Sequence, residues 1–295
     1  MDLFQAMKIF KRIAEIESFT KVADELGISQ SSISKSVSAL EGRLGVTLLN
    51  RSTRRLKLSD AGREYYERCR SILSDLEDTE SSLAAGQSAI AGQIRVSVPD
   101  TLGRLRILPH IWNFLKRHPD VEMDILMEDR RVDLVQEGID VAIRSADHFD
   151  PALITRKLCD IPRVLVASPA YLRQHGSPRA IDEIKTHDCI IYSLSPSGQT
   201  WGFVTPDGVK NLRVRGRVKV SSPEVALQAA QNGFGLSISP EWLAAAALTE
   251  GTLLPVLGAS PPTSFAVHAV FPERRFIPAR VRCFIDHLHK QLSDR

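Results

Sequence analysis

Residues 28–41 read ISQSSISKSVSALE and hold six serines: Ser29, Ser31, Ser32, Ser34, Ser36 and Ser38. Ile33, Val37, Leu40 and, just beyond, Leu44 step by four, three and four, which is the spacing of one helix face. If that face turns inward, Gln30, Ser31, Ser34, Lys35 and Ser38 lie on the outer side, with Ser32 beside them and Ser29 as the N-cap. These side chains suit contact with nucleic acid. Gln can bond adenine through two hydrogen bonds, Lys reaches guanine or phosphate, and Ser donates to either. Small hydroxyls let a helix backbone come close to a groove, whereas a glutamate there would be repelled by phosphate. The alternative is a solvated serine-rich surface.

A second polar cluster follows Gly45. In VTLLNRSTRRLKLS, two alternating segments, 46–50 and 55–58, flank a tip containing Arg51, Ser52, Thr53 and Arg54, with Arg55 next to it. The pattern predicts a hairpin. Its arginines would touch phosphates or enter a minor groove; ordinary surface arginines are the alternative. The charge is uneven. Residues 1–58 hold ten Lys/Arg against six acids, and residues 59–90 hold three against seven, although the whole chain is only +3. A basic head followed by an acidic segment suggests a nucleic-acid contact at one end.

Short helices must position these groups. Residues 3–17 place Leu3, Met7, Phe10 and Ala14 on one face. The segment SFTKVADEL repeats the pattern with Phe19, Val22, Ala23 and Leu26, with Ser18 as N-cap and Lys21 paired to Glu25. Gly27 permits a sharp turn, which gives helix-turn-helix spacing. Ser59 and Asp60 open a long helix at residues 60–88. There Tyr65, Cys69, Ile72, Leu76, Thr79 and Leu83 alternate steps of four and three. That seam is expected to be a dimer helix, the alternative being a helix lying on its own domain. Residues 84–92, AGQSAIAGQ, read as a hinge.

From residue 93 strands and helices alternate. QIRVSV, VEMDILM and IDVAI read as strands. A helix with Leu105, Leu108, Ile111 and Leu115 on one face follows the first strand, and a short helix, RRVDLVQEG, precedes the third. This order predicts a parallel α/β sheet, and a second strand–helix series follows it. In such sheets ligands sit beyond the carboxyl ends of strands. The rule selects Asp100, Thr101 and Leu102 after the first strand, and Arg144 and Ser145 after the third. Thr101 is read as an anion contact or a helix cap, and Asp100 as a competing cap. Arg144 could offer a guanidinium fork to a carboxylate or pair with Asp140 or Glu128.

Other classes are disfavoured. The chain is 295 residues long, with 43% hydrophobic and 25% charged residues, so it can form two or more globular domains. No apolar run reaches the roughly 18 residues of a membrane helix, and no secretory segment opens the chain, so a cytoplasmic location is expected. GxSxG, GxxxxGK[ST] and GxGxxG patterns are absent, so no enzyme activity and no cofactor are expected. Cys69, Cys159, Cys189 and Cys283 are widely spaced, and His287 and His289 face apart on a helix, so neither a metal site nor a disulfide framework is expected.

The whole chain resembles the LysR-type transcriptional regulators. FTKVADELGISQSSISKSVSALEGRLGVTLLNRSTRRLKLSDAG is similar to that family's winged helix-turn-helix. VDLVQEGIDVAIR, VALQAAQNGFGLSISP and VRCFIDHL are similar to its effector-binding domain. One departure is Leu49-Asn50-Arg51, where the family often has Phe and an acidic or polar residue before the wing arginine. The resemblance implies a multidomain chain. An N-terminal all-α winged helix-turn-helix spans 1–59 and a linker or dimerisation helix spans 60–91. A two-lobed α/β effector domain, like periplasmic binding proteins, spans 92–295. Lobe I takes about 92–161 plus 267–295, and lobe II about 162–266. Ser195, Ser222 and Pro223 would then line the cleft from lobe II, with capping as the alternative for the two serines. The implied partners are double-stranded operator DNA with an imperfect inverted repeat, a small-molecule effector, and further copies in a homodimer or dimer of dimers; Thr101 and Arg144 make a small organic anion the expected effector. A solute-binding protein without operator recognition is the competing reading, and an enzyme fused to a DNA-binding domain is a third.

Overall fold

The computed structural model describes residues 2–52, 55–84, 90–130, 132–145, 150–195, 197–272 and 277–293. Among them, no helix is long and apolar enough to cross a membrane.

The N-terminal unit packs α1 (Leu3–Ile16), α2 (Phe19–Leu26) and α3 (Gln30–Leu44) around one core. Asp2 caps α1 by accepting from the Phe4 amide at 3.0 Å, and Ser18 caps α2. Gly27 ends α2 at φ +66°, where Gly lacks the Cβ penalty, and the Ile28 amide returns to the Ala23 carbonyl at 3.0 Å. Phe10, Ile13, Val22, Ile33, Val37 and Leu40 are fully buried together. Leu44 lies outside that core and is exposed. The expected Lys21–Glu25 pair is replaced. Glu25 takes the Arg12 guanidinium at 2.7 Å, which ties α2 to α1 and holds Glu25 below the usual carboxylate range. Strands β1 (Leu49–Ser52) and β2 (Arg55–Leu58) form an antiparallel hairpin with Leu49 opposite Leu58. The Glu41 carboxylate fastens its base to α3 by accepting from the Leu48 and Leu49 amides at 2.8 and 3.1 Å. Leu49, the departure from the family pattern, is buried.

Helix α4 (Asp60–Ala84) starts at Ser59, whose Oγ accepts from the Gly62 amide at 2.9 Å. The predicted seam divides. Cys69 is buried in the N-terminal core with Tyr65 against it, so these two positions serve their own domain. Leu73, absent from the predicted seam, is buried in their place further along, while Ile72 is 47% exposed. The reason is phase: 3.6 residues per turn carries the inward face from Cys69 to Leu73, one residue past Ile72. Leu76 is half-buried, and the side chain of Leu83 lies outside the described residues. Mid-helix, α4 meets the next domain through ion pairs from Glu67 to Arg95 at 2.8 Å and from Arg70 to Asp124 at 3.6 Å. Most of the proposed hinge, residues 85–89, lies outside the described residues.

Lobe I holds β3 (Gly92–Val98), α5 (Asp100–Leu102), α6 (Leu108–Arg117), β4 (Val121–Met127), β5 (Val141–Ser145) and β6 (Leu153–Ile161). Its sheet is mixed, in the order β4-β3-β5-β14-β6, where β14 is Phe265–Pro272. The parallel expectation holds for β4, β3 and β5. β14 runs antiparallel to β5 and β6 because the chain re-enters the sheet from lobe II. The buried face of the segment between β3 and β4 is Ile107, Ile111 and Phe114, and Leu105 is 40% exposed. A π-helical turn at Gly103–Ile107 shifts the phase from the one predicted. The expected helix at RRVDLVQEG is instead a turn over the described residues 132–138, closed by the Asp133 carboxylate on the Val135 and Gln136 amides.

Lobe II holds β7 (Arg163–Ala167), α7 (Pro169–His175), β8 (Ile190–Tyr192), β9 (Thr200–Thr205), β10 (Gly208–Arg213), β11 (Val218–Val220), α8 (Pro223–Gln231), β12 (Ser237–Pro240), α9 (Glu241–Thr249) and β13 (Leu254–Val256). β7 lies between antiparallel β12 and β13, β8 pairs parallel with β11, and β9–β10 is a hairpin. After β14, α10 (Ala279–Ser293) returns to lobe I, where Phe284 meets Phe114 edge-on at 5.2 Å.

Candidate functional site

Two places gather the candidate residues. The first is α3. Ile33, Val37 and Leu40 anchor it, which leaves Gln30, Ser31, Ser32, Lys35 and Ser38 exposed and Ser34 half-buried. Ser29 caps the helix. Its Oγ accepts from the Ser32 amide at 3.2 Å and meets the Ser31 and Ser32 hydroxyls at 2.9 and 2.8 Å. The helix start is therefore a cluster of small hydroxyls, carrying no acid in its first turn. Its dipole and its donors favour an approaching phosphate. The wing strands place Arg51, Ser52 and Arg55 at the hairpin end, with Ser52 opposite Arg55. Thr53 and Arg54, and the side chains of Arg51, Ser52 and Arg55, lie outside the described residues.

The second is a cavity of about 210 Å³ where lobe I faces lobe II. Thr101, Leu102, Arg144 and Ser145 line it from lobe I, and Ser195 and Pro223 from lobe II. Two candidates do not. Asp100 donates its amide to Asp129 Oδ1 at 3.2 Å, while Pro99 holds the cap position. Ser222 caps α8, its Oγ accepting from the Val225 amide at 3.4 Å. The strand-end rule locates a segment and leaves the direction of each side chain open.

Arg144 makes neither of the ion pairs foreseen for it. Glu128 pairs with Arg130 at 2.8 Å, and Asp140 accepts from the Arg95 amide at 2.9 Å. Arg144 instead donates to the Ser97 carbonyl at 3.2 Å, the Ile143 carbonyl at 2.8 Å and Ser97 Oγ at 2.6 Å. Burial pulls its pKa below the ordinary guanidinium value, with the Glu128 and Asp129 charges opposing that shift. It remains a cation, since an arginine does not lose its proton in a protein.

Several lining residues carry no periodic or motif signal. Arg163 lies above the Phe265 ring at 5.9 Å and donates to Thr263. Tyr192 is pushed up to about 12 by burial and by Asp129, so its hydroxyl keeps its proton. Trp201, Ile238, Trp242 and Leu243 supply apolar wall. Among the described residues, the charged ones lining it are Arg144, Arg163 and Asp129, two cations against one anion. A compact organic anion with an apolar body suits this wall.

Comparison with known proteins matches both parts of the chain to one family. A model described as bacterial regulatory helix-turn-helix protein, lysR family, matches residues 4–63, and one described as LysR substrate binding domain matches residues 87–293. A helix-turn-helix-type transcriptional regulator of Haemophilus influenzae is 32% identical over 281 residues, covering 95% of this chain and 98% of the relative. The Escherichia coli regulator YhjC is 32% identical over 290 residues, covering 98% and 97%. The full-length structure of the Vibrio cholerae virulence activator AphB is 28% identical, covers 98% of each chain and has a TM-score of 0.59. The Neisseria meningitidis regulator CrgA is 27% identical, covers 97% and 98%, and has a TM-score of 0.60.

Proposed function

Since the chain belongs to the LysR family of transcriptional regulators, with a helix-turn-helix that binds DNA and an effector-binding domain, we propose how its residues divide that work. Gln30 and Lys35 read base edges, and the serines of α3 admit the helix to the major groove. Arg51, Arg54 and Arg55 supply mostly phosphate affinity. The DNA-binding unit is 1–59, the linker 60–91 and the effector domain 92–295. The operator is an imperfect inverted repeat bound by a homodimer or a dimer of dimers in the cytoplasm, and the chain is not an enzyme. Exposed Ile72 and half-buried Leu76 supply part of the contact between copies.

The effector is a small organic anion held between the lobes. One observation carries this assignment: Arg144 lines the cavity as a largely desolvated cation whose hydrogen bonds all end on neutral oxygens. A buried charge gains most from a partner of opposite sign, and a ligand carboxylate can supply one. Closure around it would change the lobe arrangement and with it the spacing of two DNA heads.

Two experiments test the reading. Enrichment of duplexes from a random library by the full chain should return a repeat, and Gln30→Ala should relax one position of it by about 1–3 kcal/mol. Thermal shift of the full chain is then measured against benzoate, succinate, glutamate and phenol, beside the neutral amides of the acids. A carboxylate should shift the wild type and leave Arg144→Leu unmoved. Amides acting as well as acids would overturn the anionic assignment.

A further inference from the structure

We infer that Glu224 is a specificity-determining gate of the effector cleft. Its carboxylate occupies the Thr101 hydroxyl, a donor on the cavity wall beside which an effector's acid group would lie, and joins the two lobes through Arg104. The inference rests on the reading of the cavity as an anion site.

The geometry is compact. Thr101 is 5% exposed, belongs to lobe I and lines the cavity. Its Oγ1 donates to Glu224 Oε2 at 3.3 Å across 123 residues of sequence. Arg104, three residues on, donates from Nη2 to the same oxygen at 2.5 Å. Glu224 stands in the first turn of α8 in lobe II, immediately after the lining residue Pro223. One carboxylate oxygen therefore holds a hydroxyl and a guanidinium from the opposite lobe.

The consequence follows from proton counting. A threonine hydroxyl has one hydrogen to donate. While Glu224 accepts it, an incoming carboxylate meets only lone pairs at Thr101 and a like charge beside them. An anionic ligand gains that donor by displacing Glu224, and displacement also releases Arg104. A neutral ligand meets no like-charge repulsion and gives no comparable exchange of partners. Glu224 thereby couples the charge of the ligand to the tie between the lobes, and a change in that tie moves the lobes.

The test uses the full chain with two readouts. Hydrogen–deuterium exchange is followed at residues 100–104 and 223–227, which lie on opposite lobes. Glu224→Gln and Arg104→Gln should each raise exchange in both segments by about fivefold, the upper range for one exposed ion pair. The charge-swapped double variant, Arg104→Glu with Glu224→Arg, should restore it. A change confined to one lobe, no change, or no restoration overturns the gate. Unaltered tryptophan-detected melting in each variant excludes simple unfolding. The second readout is affinity for benzoate and for its neutral counterpart benzamide. Glu224→Gln should tighten benzoate about tenfold and leave benzamide within about twofold. Equal change for both, or none for benzoate, overturns the gate's charge selectivity. If benzoate binds neither protein while the exchange pattern appears as expected, the single-ring anion reading of the cavity fails and the tie between the lobes stands.

Discussion

Helix α3 has two faces, and substitution can separate them. Ile33 is fully buried in the N-terminal core, whereas Ser31 is exposed at the helix start. Ile33→Ala removes buried methylene and methyl groups and leaves a cavity, a change that costs about 2–5 kcal/mol. A unit of this size, at about 0.05–0.15 kcal/mol per residue, has roughly 3–9 kcal/mol to lose. Ile33→Ala should therefore take away about a fifth or more of the head's stability. Ser31→Ala breaks only an exposed hydroxyl contact with Ser29 and places a better helix former there, so its stability should stay within about 0.5 kcal/mol. Its DNA affinity should fall by the worth of one hydrogen bond, about 0.5–1.5 kcal/mol. The chain offers a built-in way to see the difference: Trp112, Trp201 and Trp242 all lie beyond residue 93. Tryptophan fluorescence reports the effector domain, while far-ultraviolet circular dichroism also sees the head. Ile33→Ala should lower the dichroism transition, leave the fluorescence transition in place, and lose binding to a mixed-sequence duplex at low salt. Ser31→Ala should weaken binding with both transitions unmoved. Intact DNA binding in Ile33→Ala, or a fall of both transitions together, would refute the assignment of the stripe to a separate core.

Three further outcomes are expected. Gly216→Ala would place a Cβ 1.7 Å from the Cys189 carbonyl oxygen, a backbone atom that cannot yield, so the fluorescence-detected melting point should fall sharply while DNA binding at low temperature persists. Arg54→Ala should weaken all DNA sequences alike and flatten the salt dependence by about one phosphate contact, as read by titration across salt concentrations. Burial lowers His187, His268 and His287 below the ordinary 6.5, so in acid the unfolded chain takes up protons before the folded one. Stability of the effector domain should then be full above that value and decline as pH falls through it. A fluorescence-detected melting point independent of pH between about 8 and 5.5 would contradict this.

Local rules read the head well because its signals are local. Apolar steps of three and four, Ser18, Ser29 and Ser59 at helix starts, and Gly27 at a turn each act within a few residues, and the structure uses them apart from Leu26 and Leu44, which end their stripes exposed. The same rules missed where competition came from outside the segment. Lys21 was the nearest cation to Glu25 along α2, yet Arg12 of α1 holds a bidentate position against it. The seam of α4 looked like a dimer face because a 4–3 spacing is the same pattern whether the partner is another chain or the helix's own domain. Leu105 was assigned inward by a regular period that a π-helical turn then broke.

The cleft shows the division most clearly. The amino-acid order alone determined the strand ends, and so placed Thr101, Leu102, Arg144 and Ser145 at the mouth of a sheet, because strand direction and connection length follow from short-range pattern. Tertiary structure alone decided the rest. Arg163, Tyr192, Trp201, Trp242 and Phe265 come from segments up to about a hundred residues apart and meet only when two lobes close on one another. Their meeting depends on nonlocal packing, which no spacing along the chain encodes. The same packing set Glu224 against Thr101 and Arg104, turning a residue that reads as an ordinary first-turn acid into a contact between lobes.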